Sequence, residues 1–296
     1  LKGTSVKRIS VLAASAAVAA LAALALAAQS GQGLAASKPA FKPKMPPPAT
    51  SDYRTIDPEN VLVIDTTKGR IYVEMVPEIA PKSVARIKEL AREKFYDGLT
   101  FHRVVDEFMA QGGDPKGDGS GGSSKPNVPG EFIFRRGSDT PYVRVQSVAG
   151  LEDGFVKSVP VRTQNTGLMI MTADGKVQAW GLWCSGVTGM ARAGEPDSAN
   201  SQFYIMRQFN DGLERNYAAW GRVIVGLDVA RALKSGEPVI DPDKMTSVRV
   251  LADLPAAGRP KVQVVDTASP AFVAQIPNAT SVCDIELPGR VVVRDE

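Results

Sequence analysis

FHRVVDEFMAQGGD, residues 101–114, is the stretch on which the reading of this chain turns. Side chains alternate across a strand, so Phe101, Arg103 and Val105 share one face of FHRVV while His102 and Val104 share the other. Arg103 therefore sits among hydrophobes. A guanidinium held there is costly unless it is paired or lines a cavity where something meets it. QFYIM, residues 202–206, poses a milder form of the same question, with Phe203 and Ile205 on one face and Gln202, Tyr204 and Met206 on the other. A strand between a core and a lined pocket has this pattern, and so does one with a side in solvent.

Around these two stretches the chain reads as short strands. VLVIDTT (61–67) and RIYVEMV (70–76) form a hairpin across Lys68-Gly69. Pro81 opens a helix in which Ala80, Val84, Ile87 and Ala91 recur at helical spacing, with Leu90 beside them and Gly98 past the end. EFIF (131–134), LMIMT (168–172), AAWGRVIV (218–225) and TSVRVLA (246–252) read as further strands, and LDVARALK (227–234) as a second short helix. Many short strands with two helices imply a mainly β fold and a closed antiparallel sheet, since closure is how such a sheet avoids exposed edges. Past residue 253, KVQVVDT and RVVVRD are proline-punctuated, strand-like pieces of an extension.

The chain has 296 residues, 44% of them hydrophobic, enough for one substantial core or two modest ones. Residues 1–27 have the layout of a signal peptide: basic Lys2, Lys7 and Arg8, an alanine-rich apolar run from Ile9 to Ala28, and Ala25-Leu26-Ala27 as a cleavage site. Export, to the periplasm, is the expectation; an uncleaved inner-membrane anchor is the alternative, because the run approaches the roughly 20 residues that span a bilayer. Those three basic residues taken from 35 Lys and Arg leave 32, equal to the 32 Asp and Glu. A neutral remainder argues against nucleic acid as a partner, since phosphate binding needs a basic excess. Residues 28–55, which include SKPAFKPKMPPPAT (37–50), read as a Pro/Lys-rich extended linker. Cys184 and Cys283 are the two cysteines. An oxidising compartment permits a bridge between them, and two separate small hydrophobes is the other reading.

GDGSGG (117–122) has G-x-G-x-x-G spacing, but SSKPNVP follows it and cannot open the helix a dinucleotide site needs, so it reads as a flexible glycine loop. His102 is the only histidine. With no second histidine or cysteine pair near it, and no G-x-S-x-G elbow, neither a metal site nor a serine hydrolase is indicated, and no cofactor is implied.

FHRVV followed by FMAQGGD, then GMARAGEPDSANSQFYIM (189–206), then AAWGRVIVGLDV (218–229) resembles the cyclophilin family of peptidyl-prolyl cis/trans isomerases, over about residues 60–136 and 186–252. The resemblance implies a closed eight-stranded antiparallel barrel capped by two α-helices, with an outer groove for a proline-containing polypeptide. It matches Arg103 to the catalytic arginine, Gln111 to the glutamine that positions it, and Phe108, Met109 and Leu213 to the pocket for the proline ring. Gln202 matches a residue that contacts the substrate backbone, and Tyr204, Ala191, Arg192 and Tyr217 complete the implied binding surface. Tyr204 stands where many members have a second phenylalanine. Gly212 stands where many eukaryotic members have a tryptophan that contacts cyclosporin, which implies weak binding of that drug; Tyr217 replaces a histidine and Arg192 an asparagine.

The domain so delimited runs over residues 56–253, with an insert at about 137–185 that has little counterpart in the family and an extension at 254–296. Within the insert MTADGKVQAW (171–180) looks like a hairpin turning at Asp174-Gly175. A bridge from Cys184 to Cys283 would tie insert to tail. The implied activity is isomerisation of Xaa-Pro bonds in exported proteins as they fold, with the transition state stabilised non-covalently by Arg103. A non-catalytic chaperone or scaffold that holds proline-containing or unfolded chains is the competing function. The membrane enters only if the first segment is uncleaved.

Overall fold

The computed structural model describes residues 47–293; the signal segment and the linker up to residue 46 lie outside the described residues. In chain order the elements are β1 (Tyr53–Thr55), β2 (Val61–Thr66), β3 (Gly69–Met75), α1 (Pro81–Arg92), β4 (Arg103–Val104), β5 (Met109–Gly112), β6 (Phe134–Arg136), β7 (Tyr142–Val148), β8 (Leu151–Val156), β9 (Val159–Gln164), β10 (Val177–Gly181), β11 (Val187–Met190), β12 (Phe203–Met206), β13 (Ala219–Val225), α2 (Leu227–Arg231), β14 (Met245–Val250), β15 (Lys261–Val265), α3 (Pro270–Val273) and β16 (Gly289–Val292).

Eight strands form one curled antiparallel sheet in the order β14-β2-β3-β13-β11-β12-β5-β4. The hairpin read at Lys68-Gly69 supplies its second and third strands, with β2 and β3 paired from Val61↔Glu74 to Thr66↔Gly69. Gly69 takes φ 135°, a conformation that costs glycine little, and this folds β3 back tightly on β2. Helix α1 begins at Pro81 and buries Ser83, Val84, Ile87, Leu90 and Ala91. Its free N-terminal amides are met from far along the chain, where the Glu131 carboxylate accepts from Lys82 N at 2.9 Å and Ser83 N at 2.7 Å.

The sheet is an open half-barrel, which corrects the expectation of full closure. Its edge strands β14 and β4 share no ladder; Thr100↔Lys244 is a single bridge between the segments leading into them. The reason lies in β4, which has two residues, and whose Val104 spends both backbone groups on Gly236 (2.9 and 2.8 Å) instead of on β14.

The insert builds a second antiparallel sheet, ordered β6-β10-β9-β8-β7. LMIMT is not one of its strands. Thr166–Met171 is a 3-10 segment started by Asn165, whose side chain accepts from Gly167 N, and it leaves Ile170 91% and Met171 80% exposed. The turn at Asp174-Gly175 exists, with Gly175 at φ 63°, but β10 beyond it pairs with β6 and β9 rather than with Leu168–Met171.

The tail supplies the third sheet, β1-β15-β16. Order therefore begins before residue 56, because Tyr53–Thr55 pairs with Val265–Gln263 and Arg54 makes a bidentate pair with buried Glu74 of β3 at 2.7 and 2.8 Å. Cys184 and Cys283 are bonded, with Cα atoms 5.2 Å apart, and Phe155 of β8 meets Phe272 of α3 edge-on at 5.5 Å. Insert and tail are thus fastened to each other covalently and through their cores.

Candidate active site

Residues from β4, β5, the segment after β11, β12 and the loop before β13 converge on one pocket of about 240 Å³. Arg103, Phe108, Met109, Gln111, Ala191, Arg192, Tyr204, Leu213 and Tyr217 line it. Every residue that the sequence marks for catalysis or substrate is there except Gln202, which stands one hydrogen bond behind.

Arg103 alternates as the strand pattern demands: Val104 beside it is buried while Arg103 turns outward, about a third of its side chain exposed. The antiparallel register sets Gln111 opposite both Arg103 and Tyr204. From there a polar relay forms. Arg103 Nη1 donates to Gln111 Oε1 at 3.4 Å, Gln111 Nε2 to Gln202 Oε1 at 2.9 Å, and Gln202 Nε2 to the carbonyls of Gly119 (3.0 Å) and Gly121 (2.7 Å). Arg103 Nε donates to Glu237 Oε1 at 2.5 Å, and among the described residues Nη2 has no partner.

The glycine loop is accordingly tied down rather than flexible. Buried Asp114 accepts from the backbone N–H groups of Lys116 (2.8 Å), Asp118 (3.2 Å) and Gly119 (2.6 Å), fixing one end of the relay. His102 lies under this loop, packed as its place opposite Arg103 implies. Neither of its ring nitrogens has a partner among the described residues, and burial holds its pKa below the ordinary histidine value.

The opposite wall is aromatic. Tyr204 stacks at a tilt on Trp183 (5.4 Å) and meets Tyr217 edge-on (6.0 Å), while Arg192 lies over the Tyr217 ring at 4.7 Å. A Cβ on Gly189 would fall 2.5 Å from Tyr204 Cζ and 2.6 Å from Trp183, so glycine in β11 makes the room in which these rings pack. The Tyr204 hydroxyl is buried without a partner among the described residues, and burial pushes its pKa well above the usual tyrosine range. Tyr204 therefore presents a ring, much as phenylalanine would.

Trp183, Trp180 and Glu237 escaped the sequence reading. Trp180 Nε1 donates to Glu214 Oε2 at 3.0 Å, Arg215 lies over the Trp180 ring at 3.7 Å, and Arg162 reaches Glu214 at 3.6 Å. Glu214 and Arg215 directly follow Leu213, so the insert grips the loop that carries one side of the pocket. Among the described residues no group of three His, Cys, Asp or Glu is placed to hold a metal ion.

Comparison with known proteins agrees with this geometry. The family model described as cyclophilin type peptidyl-prolyl cis-trans isomerase/CLD matches residues 61–251, more than half of the chain. A protein of Brucella suis named probable peptidyl-prolyl cis-trans isomerase is 34% identical over 215 residues, 67% of this chain and 85% of its own length. Peptidyl-prolyl cis-trans isomerase B of Bacillus subtilis is 31% identical over 182 residues, 62% of this chain and 91% of its own. The crystal structure of a cyclophilin from Hirschia baltica superposes with a TM-score of 0.77 at 35% identity, covering 82% of this chain and 95% of that one. That span exceeds the family model, so the likeness extends past the isomerase core.

Proposed function

Because the chain belongs to the cyclophilin-type peptidyl-prolyl cis-trans isomerases, we propose that it rotates Xaa-Pro bonds of exported polypeptides during folding, with Arg103 stabilising the twisted bond. The observation that carries this reading is the single pocket in which Arg103 faces Phe108, Met109 and Leu213. An Xaa-Pro bond resists rotation because the nitrogen lone pair is delocalised into the carbonyl, which leaves exchange on a scale of roughly tens to hundreds of seconds. Twisting the bond returns that lone pair to the prolyl nitrogen. A donor aimed there favours the twisted state over either planar one, and a guanidinium suits the task because it stays charged and presents several N–H groups from one rigid fork. With Nε held by Glu237 and Nη1 by Gln111, Nη2 is the group left for substrate.

Phe108, Met109 and Leu213 would take the proline ring and exclude the water that favours the planar, dipolar amide. Gln202 and the backbone around Ala191 and Arg192 would hold the flanking chain. The result is differential binding of the transition state, with no covalent intermediate. Export is supported by the pattern of residues 1–27 and by the Cys184–Cys283 bond, which an oxidising compartment preserves. With Gly212 in place of tryptophan, cyclosporin is expected to bind weakly.

A protein whose refolding waits on prolyl isomerisation tests this directly. The full chain should accelerate that slow phase, and Arg103→Ala should lose on the order of a hundredfold in kcat/KM, about 2.7 kcal/mol of transition-state stabilisation. Undiminished acceleration by the variant would remove Arg103 from the role. The second reading, client holding, rests on the exposed Leu168, Ile170 and Met171 of the insert. It predicts that serine at all three positions weakens suppression of aggregation without altering peptide isomerisation, and a variant that suppresses aggregation as well as the native protein would exclude it.

A further inference from the structure

Two side chains hold the Arg103 guanidinium, and they are unequal. The bond to Gln111 is 3.4 Å long, near the limit of a hydrogen bond, whereas the one from Nε to Glu237 is 2.5 Å and joins opposite charges. We propose that Glu237 is a positioning residue that sets the direction in which the Arg103 fork points; the inference rests on the isomerase reading above. Glu237 is 59% exposed, and an exposed ion pair usually adds little to stability. What a pair at this place can supply is orientation. A donor that must meet the prolyl nitrogen only in the twisted state loses its advantage when it swings by an ångström.

Orientation requires that Glu237 itself be held, and its loop is fastened on three sides. Gly236 exchanges both backbone hydrogen bonds with Val104, the neighbour of Arg103, at 2.9 and 2.8 Å. On the far side Val239 N donates to His102 O at 3.0 Å. Before it, Ser235 bonds to Asp106 and accepts from buried Arg207 at 3.1 Å, and Arg207 also pairs with Asp106 at 3.0 Å. A Cβ on Gly236 would lie 2.8 Å from Val239 Cα, so glycine is what lets the loop close on itself. The same residues that stop β4 from pairing with β14 thus bring a carboxylate to the catalytic side chain. The open edge of the half-barrel has a use.

The pair is tested with Glu237→Ala and Glu237→Gln in the full chain, by NMR exchange of an Ala-Pro peptide at saturation, peptide titration, and the Arg103 Nε–H signal in ¹⁵N spectra. Glu237→Ala should lower exchange at saturation about tenfold, keep peptide affinity within about twofold, and lose the protected Nε–H signal. Glu237→Gln retains an acceptor at the same place and should recover most of the rate and the signal. Native exchange in Glu237→Ala, or parallel losses of affinity and thermal midpoint that Gln does not repair, would overturn the assignment. A native protein that failed to accelerate exchange would instead bring down the isomerase reading, and the role of Glu237 with it.

Discussion

The two walls of the groove are built by different means. Arg103, Gln111 and Gln202 are set by strand register and by directional hydrogen bonds that run from the Asp114 loop to Glu237. Leu213, Tyr204 and Tyr217 are set by ring packing and lean on the insert, through Trp183 behind Tyr204 and through Trp180 and Arg162 on Glu214. The first wall is built from strands and loops that bond to one another directly; the second is buttressed from behind by Arg162, Trp180 and Trp183 of the insert. Where an atom must be aimed, the chain uses directional polar bonds between residues that strand register and a loop bridge bring together from distant parts of the sequence. Where a shape must be offered, it uses a surface that an inserted sheet can hold from behind.

Removing the buttress should have the largest effect on stability. The Cys184–Cys283 bond closes a separation of 99 residues, so Cys184→Ser with Cys283→Ser should cost about 4–5 kcal/mol on chain-entropy grounds and lower the thermal midpoint by roughly 10 °C. Calorimetry decides, and an unchanged midpoint would mean that insert and tail hold together without the bond. Next is the polar wall. Gln202→Leu cuts the relay between the glycine loop and Gln111 and should lower kcat about tenfold, or about 1.4 kcal/mol, with a smaller change in peptide affinity.

The shape wall should respond in the opposite sense. Trp180→Phe removes the bond to Glu214 and should weaken peptide affinity a few-fold, about 1 kcal/mol, while turnover at saturation is nearly kept. Equal losses in affinity and turnover for either variant would dissolve the distinction between the walls. The smallest effect concerns His102. Its folded pKa lies below the unfolded value of about 6.5, so the unfolded chain binds its proton first as pH falls; this contribution is whole above about pH 6.5 and declines below it. His102→Gln should therefore flatten part of the fall in thermal midpoint between about pH 7 and pH 5.5, and an unaltered slope would assign that fall to other groups.

What could be read from the sequence divides along similar lines. α1 announces itself because its burial follows the helical period, the β2–β3 hairpin because two almost continuously buried apolar runs flank Lys68-Gly69, and Arg103 because it interrupts an apolar face. The sheet of the insert does not. Its strands bury Glu152 and Asp153 and keep them paired, Asp153 with Arg162 at 2.7 Å and Glu152 with Thr166 at 2.6 Å, so charged residues occupy places where a reader expects hydrophobes. LMIMT errs the other way, being apolar yet exposed. The pocket residues lie in long contiguous strings and were legible by resemblance. Glu237, 134 residues from Arg103, is brought to it by a backbone bridge that no local pattern encodes.

The most direct test follows an Ala-Pro peptide by NMR with the native chain and Arg103→Ala side by side, measuring binding and cis–trans exchange in the same samples. The account predicts that both proteins bind the peptide with similar affinity and that exchange falls on the order of a hundredfold in the variant. Binding by both with no acceleration by either would contradict it and leave the groove a site that holds proline without turning it.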